Sequence, residues 1–128
     1  MSMTAIVDVQ QQLVITTAAG SIGDEDLHDA RRALLNDPLF DPSFDRLWDF
    51  SAVTNARVSD PVIAELVATS PSRPQVYRAV VCVTPGPAAK VLQLVAESRA
   101  LDRQIAVFPD REAAERWIRT SRAAPPLL

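Results

Sequence analysis

Glycine, cysteine and histidine are scarce in this chain: 3 Gly, 1 Cys and 1 His in 128 residues. Three glycines leave little room for a phosphate cradle, and neither a Walker loop nor a Gly-x-Gly-x-x-Gly run is present. Cys82 alone excludes an intramolecular disulfide and a Cys-x-x-Cys pair. With His28 as the only histidine, neither a Ser-His-Asp nor a Cys-His arrangement gains independent support, and a histidine-based metal site is not expected. No cofactor is expected either. The wholly apolar runs are only a few residues long, far short of a membrane span. Met1-Ser2-Met3-Thr4-Ala5 lacks the basic-then-apolar build of a signal peptide, so a cytoplasmic protein is expected. Basic charge is also short: 13 Lys and Arg stand against 16 Asp and Glu, for a net charge of −3 and a pI near 5.0. Without a basic face, a nucleic-acid partner is not expected. All the basic residues except Lys90 are arginine, which reads as GC-rich codon usage.

What is present describes one domain of ordinary size, 48% apolar and 23% charged, expected over residues 1–122 with a loose Pro-containing tail at 123–128. Ile6–Val9 and Leu13–Ala18 are β-rich runs separated by glutamines, which predicts an opening hairpin. Gly20-Ser21-Ile22-Gly23 is expected to break the strand. Asp24, Glu25 and Asp26 then open a helix with Leu27, Ala30, Leu34 and Leu35 on one face, and Asn36-Asp37-Pro38 ends it. A strand is predicted at Arg46–Phe50, and Asp60-Pro61 starts a second helix with Ile63, Leu66 and Val67 buried. Val76–Val83 is the strongest predicted strand, with Ala79-Val80-Val81-Cys82-Val83 apolar on both faces, as central parallel strands are. A helix over about Ala88–Leu101 follows, apolar at Val91, Leu92, Val95 and Ala96. A short strand at Gln104–Phe108 precedes a last helix capped by Asp110, with Ala114, Trp117 and Ile118 inward. The order β-β-α-β-α-β-α-β-α predicts an α/β fold: a mixed, mainly parallel sheet of about five strands with helices packed on it.

Three segments carry a resemblance to a known family: Gly20-Ser21-Ile22-Gly23-Asp24-Glu25-Asp26-Leu27, the Leu47-Trp48-Asp49-Phe50-Ser51-Ala52-Val53-Thr54 strand, and Val107-Phe108-Pro109-Asp110 leading to Ala114-Glu115-Arg116-Trp117-Ile118. Together with the element order, they resemble the STAS-like domains of the anti-sigma-factor-antagonist superfamily. The likeness is closest to a small bacterial SpoIIAA-like branch related to CRAL-TRIO lipid-binding domains. The resemblance implies a non-enzymatic module that binds a protein or small ligand, as a homodimer. In the phosphorylated antagonists an Asp-Ser-Ser-Gly or Asp-Ser-Thr-Gly motif carries the phosphoacceptor at a helix start. In register from Asp49 this chain has Arg57-Val58-Ser59-Asp60, so the acceptor position is Val58, and Asp60 beside Ser59 repels a phosphate. The phosphoswitch is expected to be absent.

The candidate site residues fall in two groups. Asp49, Thr54, Arg57, Ser59, Thr84 and Asp110 lie along the expected carboxyl edge of the sheet, where open α/β folds meet ligands or partners. Asp49 reads as a polar anchor or general base on one view, and as a carboxylate bonding a following turn on the other. The hydroxyl and carboxylate types of the rest suit turns and helix caps equally well. Phe40, Phe44 and Trp48 form the second group, either core or the lining of an apolar pocket or dimer patch. A carrier of a small apolar or lipid-like ligand is the first rival reading, and an enzyme using Asp49 as base the second. Cys82, among β-branched neighbours, reads as inert core, His28 as a boundary residue, and the Asp24–Asp29 carboxylates as dipole compensation.

Overall fold

A computed structural model describes residues 2–83, 90–101 and 103–123. Its elements run β1 (Ser2–Asp8), β2 (Leu13–Gly23), α1 (Asp24–Leu35), β3 (Asp45–Arg57), α2 (Asp60–Ala68), β4 (Tyr77–Val81), α3 (Val91–Ala100), β5 (Gln104–Phe108) and α4 (Arg111–Ala123). The expected α/β architecture is present: one five-stranded sheet in the order β1-β2-β3-β4-β5, with β1 antiparallel to β2 and the other neighbours parallel. Each crossover steps one strand in the same direction. Right-handed connections then place α1, α2 and α3 on one face of the sheet and leave the other to α4. The packing agrees. Val91 and Val95 of α3 meet Ala18, Phe50 and Val80 on one face, whereas Ala114 and Ile118 of α4 meet Leu13, Leu47, Ala79 and Val81 on the other.

β4 is buried on both sides, with Ala79, Val80 and Val81 at 0–1% exposure, as its unbroken apolar run predicts. Two strands are longer than expected. β2 continues through Gly20–Gly23 and β3 through Arg57, and these extensions pair with each other from Ala19↔Ala52 to Gly23↔Arg57. The pairing is irregular at Thr17/Ala19 and Gly20/Ser21, and Gly20 takes φ 74°, a left-handed conformation that glycine adopts without steric cost. The glycine that reads as a strand breaker is thus a bulge inside a strand. β4 is shorter than expected at its two ends, and β1 begins four residues earlier than Ile6.

α1 begins where the sequence places it, with the Gly23 N–H donating to Asp26 Oδ2 at 2.8 Å. Leu27, Ala30 and Leu34 are buried, but Leu35 lies 58% exposed at the last turn, away from the apolar stripe. In α3 the inward positions are Val91, Val95 and Ser98, while Leu92 and Ala96 point outward. A serine on the buried stripe marks a polar interior beneath this helix. In α4 Ala114 and Ile118 are buried and Trp117 is half-buried, its ring between Tyr77 and Phe108 at 5.7 and 5.5 Å. The expected start of α3 near Ala88 and the tail beyond Ala123 lie outside the described residues.

Candidate functional site

Four arginines gather beneath α1–α3. Side chains alternate along a strand, so Arg46 and Trp48 of β3 share the face of Phe50. Parallel register sets Arg78 of β4 beside Arg46, and Thr16 of β2 beside Trp48. Arg31 comes down from α1, and Arg103 enters just before β5. Together they line a cavity of about 60 Å³, the space open to the centre of a water-sized sphere. That is room for roughly four to six waters. The rest of its wall is mainly apolar, including Leu27, Leu34, Leu66 and Leu94, and no Asp or Glu among the described residues lines it.

Arg46 and Arg78 are 6% and 2% exposed, and Thr16 is 3% exposed. Burial of a cation is costly unless every donor is met. Arg78 is the best satisfied of the four: its guanidinium donates to the carbonyls of Pro74, Val76 and Arg73 at 3.1–3.2 Å. Arg31 donates to the Leu66 carbonyl at 2.8 Å and Thr69 Oγ1 at 3.0 Å, tying α1 to α2. Arg46 donates from Nη1 to Ser72 Oγ at 3.0 Å and stacks over the Trp48 ring at 4.6 Å. Its Nε–H, however, has no partner, and the same holds for Thr16 Oγ1 and for Arg103 Nε and Nη1.

The electrostatics follow from this crowding. Burial, followed by the Arg31 and Arg78 cations, pulls the Arg46 guanidinium down from its ordinary value to about 9. Burial and then Arg103 lower Arg78 to about 10, against a smaller upward pull from Asp45. Arg31 is lowered too, by burial, with Glu65 opposing. At about 9 and 10, Arg46 and Arg78 stay charged at neutral pH, so the cavity holds buried cations and donors unmet by protein. Immediately beside it lies a smaller hollow of about 20 Å³, with Leu27, Phe50 and Leu94 shared as walls and Ile22, Ile63 and Val91 beyond.

The residues singled out from sequence are dispersed. Asp49 lies on the α4 face of β3, and its Oδ1 accepts the Ser51 N–H at 3.0 Å and the Ser51 hydroxyl at 2.6 Å. Thr54 and Arg57 are exposed on the β3 extension. Ser59 precedes α2, yet its N–H and hydroxyl donate to Asp24 Oδ1 and Oδ2 at 2.8 and 2.9 Å, joining the starts of α1 and α2. Asp110 accepts the Ala113 N–H at 2.8 Å and caps α4. Thr84 lies outside the described residues. Val58, the position the resemblance equates with a phosphoacceptor, is 8% exposed and packs with Leu27, Ile63 and Leu66. In the aromatic group, Trp48 lines the cavity, whereas Phe44 packs with Val14 and Leu34, and Phe40 lies against that cluster.

Cys82 is buried, which pushes its thiol up. His28 is half-exposed, its Nε2 3.6 Å from Glu65 Oε2. Among the described residues, no three His, Cys, Asp or Glu side chains are placed to hold a metal ion, and no helix is long and apolar enough to cross a membrane.

The sequence reading passed over Thr16, Arg31, Arg46, Arg78 and Arg103. A signal was present at Arg78, which interrupts an otherwise apolar central strand. A charge buried in such a strand has to meet other polar groups inside the protein. Searches for similar proteins found no matching family model, no matching curated protein and no matching solved structure.

Proposed function

We propose that this protein is a binding module, and that its ligand occupies the cavity between the sheet and α1–α3. The observation that carries this reading is the set of buried donors at Thr16, Arg46 and Arg103, unmet by protein, in a chamber whose remaining wall is mainly apolar. Buried polar groups are almost always met by protein or by ordered water, so donors gathered in one cavity without a protein partner favour a polar guest there. This is the carrier-like reading of the sequence, with the ligand small: room for a few water-sized groups does not hold a long acyl chain. The SpoIIAA-like resemblance remains part of the proposal, supported by the element order and the one-directional strand order. An Asp49 base is disfavoured because that carboxylate is engaged by Ser51.

Native mass spectrometry of freshly purified protein tests the reading, together with intrinsic fluorescence in a Trp117→Phe background that leaves Trp48 as the reporter. A copurified small molecule whose removal changes Trp48 emission is the expected result. The companion variant Ala30→Leu, which narrows the cavity, should purify without it. A clean mass together with Trp48 emission indifferent to every small ligand offered would overturn the proposal.

A further inference from the structure

The cavity has a polar end and an apolar end, and this arrangement restricts what fits. Of its four arginines, Arg31 and Arg78 are anchored by protein carbonyls and by Thr69. They add positive field to the chamber. Arg46 and Arg103 keep buried N–H groups in hand, and Thr16 adds a hydroxyl. The open donors therefore sit in a positive interior that no lining carboxylate among the described residues offsets. A neutral guest would leave that charge uncompensated, whereas an anion accepts the free donors and relieves the mutual repulsion at once.

The opposite end is dry. Leu27, Phe50 and Leu94 separate the chamber from the hollow lined by Ile22, Ile63, Val91 and Lys90, whose ammonium pairs with Asp60, so displacement of Leu27, Phe50 and Leu94 would join the two. Inorganic phosphate has nothing to place there, and its hydration is expensive to strip beside leucines. A planar carboxylate matches a guanidinium edge and carries one charge. Its hydrocarbon body gains by burial against these side chains.

We propose that the ligand is a short aliphatic monocarboxylate. Its oxygens accept from Arg46 Nε, Arg103 and Thr16 Oγ1, and its alkyl end lies towards Leu27, Phe50 and Leu94. This deepens the proposed function and rests on it.

Thermal unfolding and calorimetric titration of the full chain with sodium isovalerate, neutral isovaleramide and inorganic phosphate at constant ionic strength test the proposal. Isovalerate should raise the melting temperature in a saturable manner, and isovaleramide and phosphate should not. Arg46→Met and Thr16→Val should each weaken isovalerate at least tenfold. Thr16→Val is close in shape and serves if Arg46→Met does not fold. Equal effects of acid and amide would overturn the anionic head while leaving a cavity ligand standing. A response to phosphate alone would overturn the apolar end. Isovalerate binding undiminished in Thr16→Val and Arg46→Met would place it elsewhere and also overturn the proposal. No response to any probe, with a copurified mass still present, would reject the carboxylate class but not the cavity. The same silence with a clean mass would reject both.

Discussion

The two faces of the sheet have been built on opposite terms. Against α4, Leu13, Leu47, Ala79, Val81, Ala114 and Ile118 make a dry layer capped by the Tyr77–Trp117–Phe108 stack. Its one buried carboxylate, Asp45, is met on both oxygens, by the Tyr77 N–H at 2.8 Å and Arg122 Nε at 2.6 Å. Against α1–α3, the same strands carry Thr16, Arg46 and Arg78, and donors are left open. Leu47 and Arg46 are neighbours in sequence and face opposite ways. One face is dry and satisfied, and the other holds crowded buried cations with donors that no protein group meets. Such local departure from a satisfied interior is where binding sites tend to lie.

Substitutions that treat the faces alike should give unlike results. Leu47→Ala, which empties a fully buried site in the dry layer, should cost about 2–5 kcal/mol in urea unfolding. Arg46→Met should do the reverse, leaving the ligand-free protein unchanged or up to about 2 kcal/mol more stable, since it removes a crowded buried cation. A large loss of stability in Arg46→Met would mean that this arginine serves the fold and not a ligand. Arg122→Met breaks the Asp45 pair and also frees the carbonyls of Gln11 and Gln12. Because Arg122 remains partly exposed, the loss should be about 1–2 kcal/mol.

The smallest effect concerns Asp60 at the start of α2, whose carboxyl is held below the ordinary carboxylate range by the hydrogen bond and charge of Lys90. A depressed folded value gives stability that is present above the unfolded pKa and lost as pH falls through the folded one. Lys90→Met should therefore lower stability slightly near neutral pH, and the difference from the parent protein should fade as pH falls below about 4. Acid titrations of the two proteins that superimpose would show that this exposed pair contributes nothing measurable.

Much of the architecture is legible in the sequence because period and punctuation agree. The apolar run around Ala79–Val81, the acidic start of α1, and Asp110 before α4 each carry a local signal that tertiary packing does not overrule. The β2–β3 extension is not legible. Gly20, Thr54, Asn55 and Arg57 are loop-like residues by composition, and they become strand because each extension supplies the other's backbone partners. The cavity is hidden for a related reason. Arg31, Arg46, Arg78 and Arg103 are far apart along the chain, and only register and crossover bring them to one chamber. Read singly, each arginine resembles codon usage. Asp49 drew notice by its place near a strand end, yet local geometry directs its carboxylate to Ser51.

The linear strand order also has a consequence for how the molecule comes into being. As the chain leaves the ribosome, each new strand from β2 onward meets an edge that the preceding segment has already built. No strand must be inserted between two existing ones, so growth proceeds by addition at one border. The exception is the last helix. Arg122 of α4 reaches back to the carbonyls of Gln11 and Gln12, across sequence separations of 111 and 110 residues. Loops of that length close late. Assembly is thus gradual for the sheet and ends with a clasp between the last helix and the first turn.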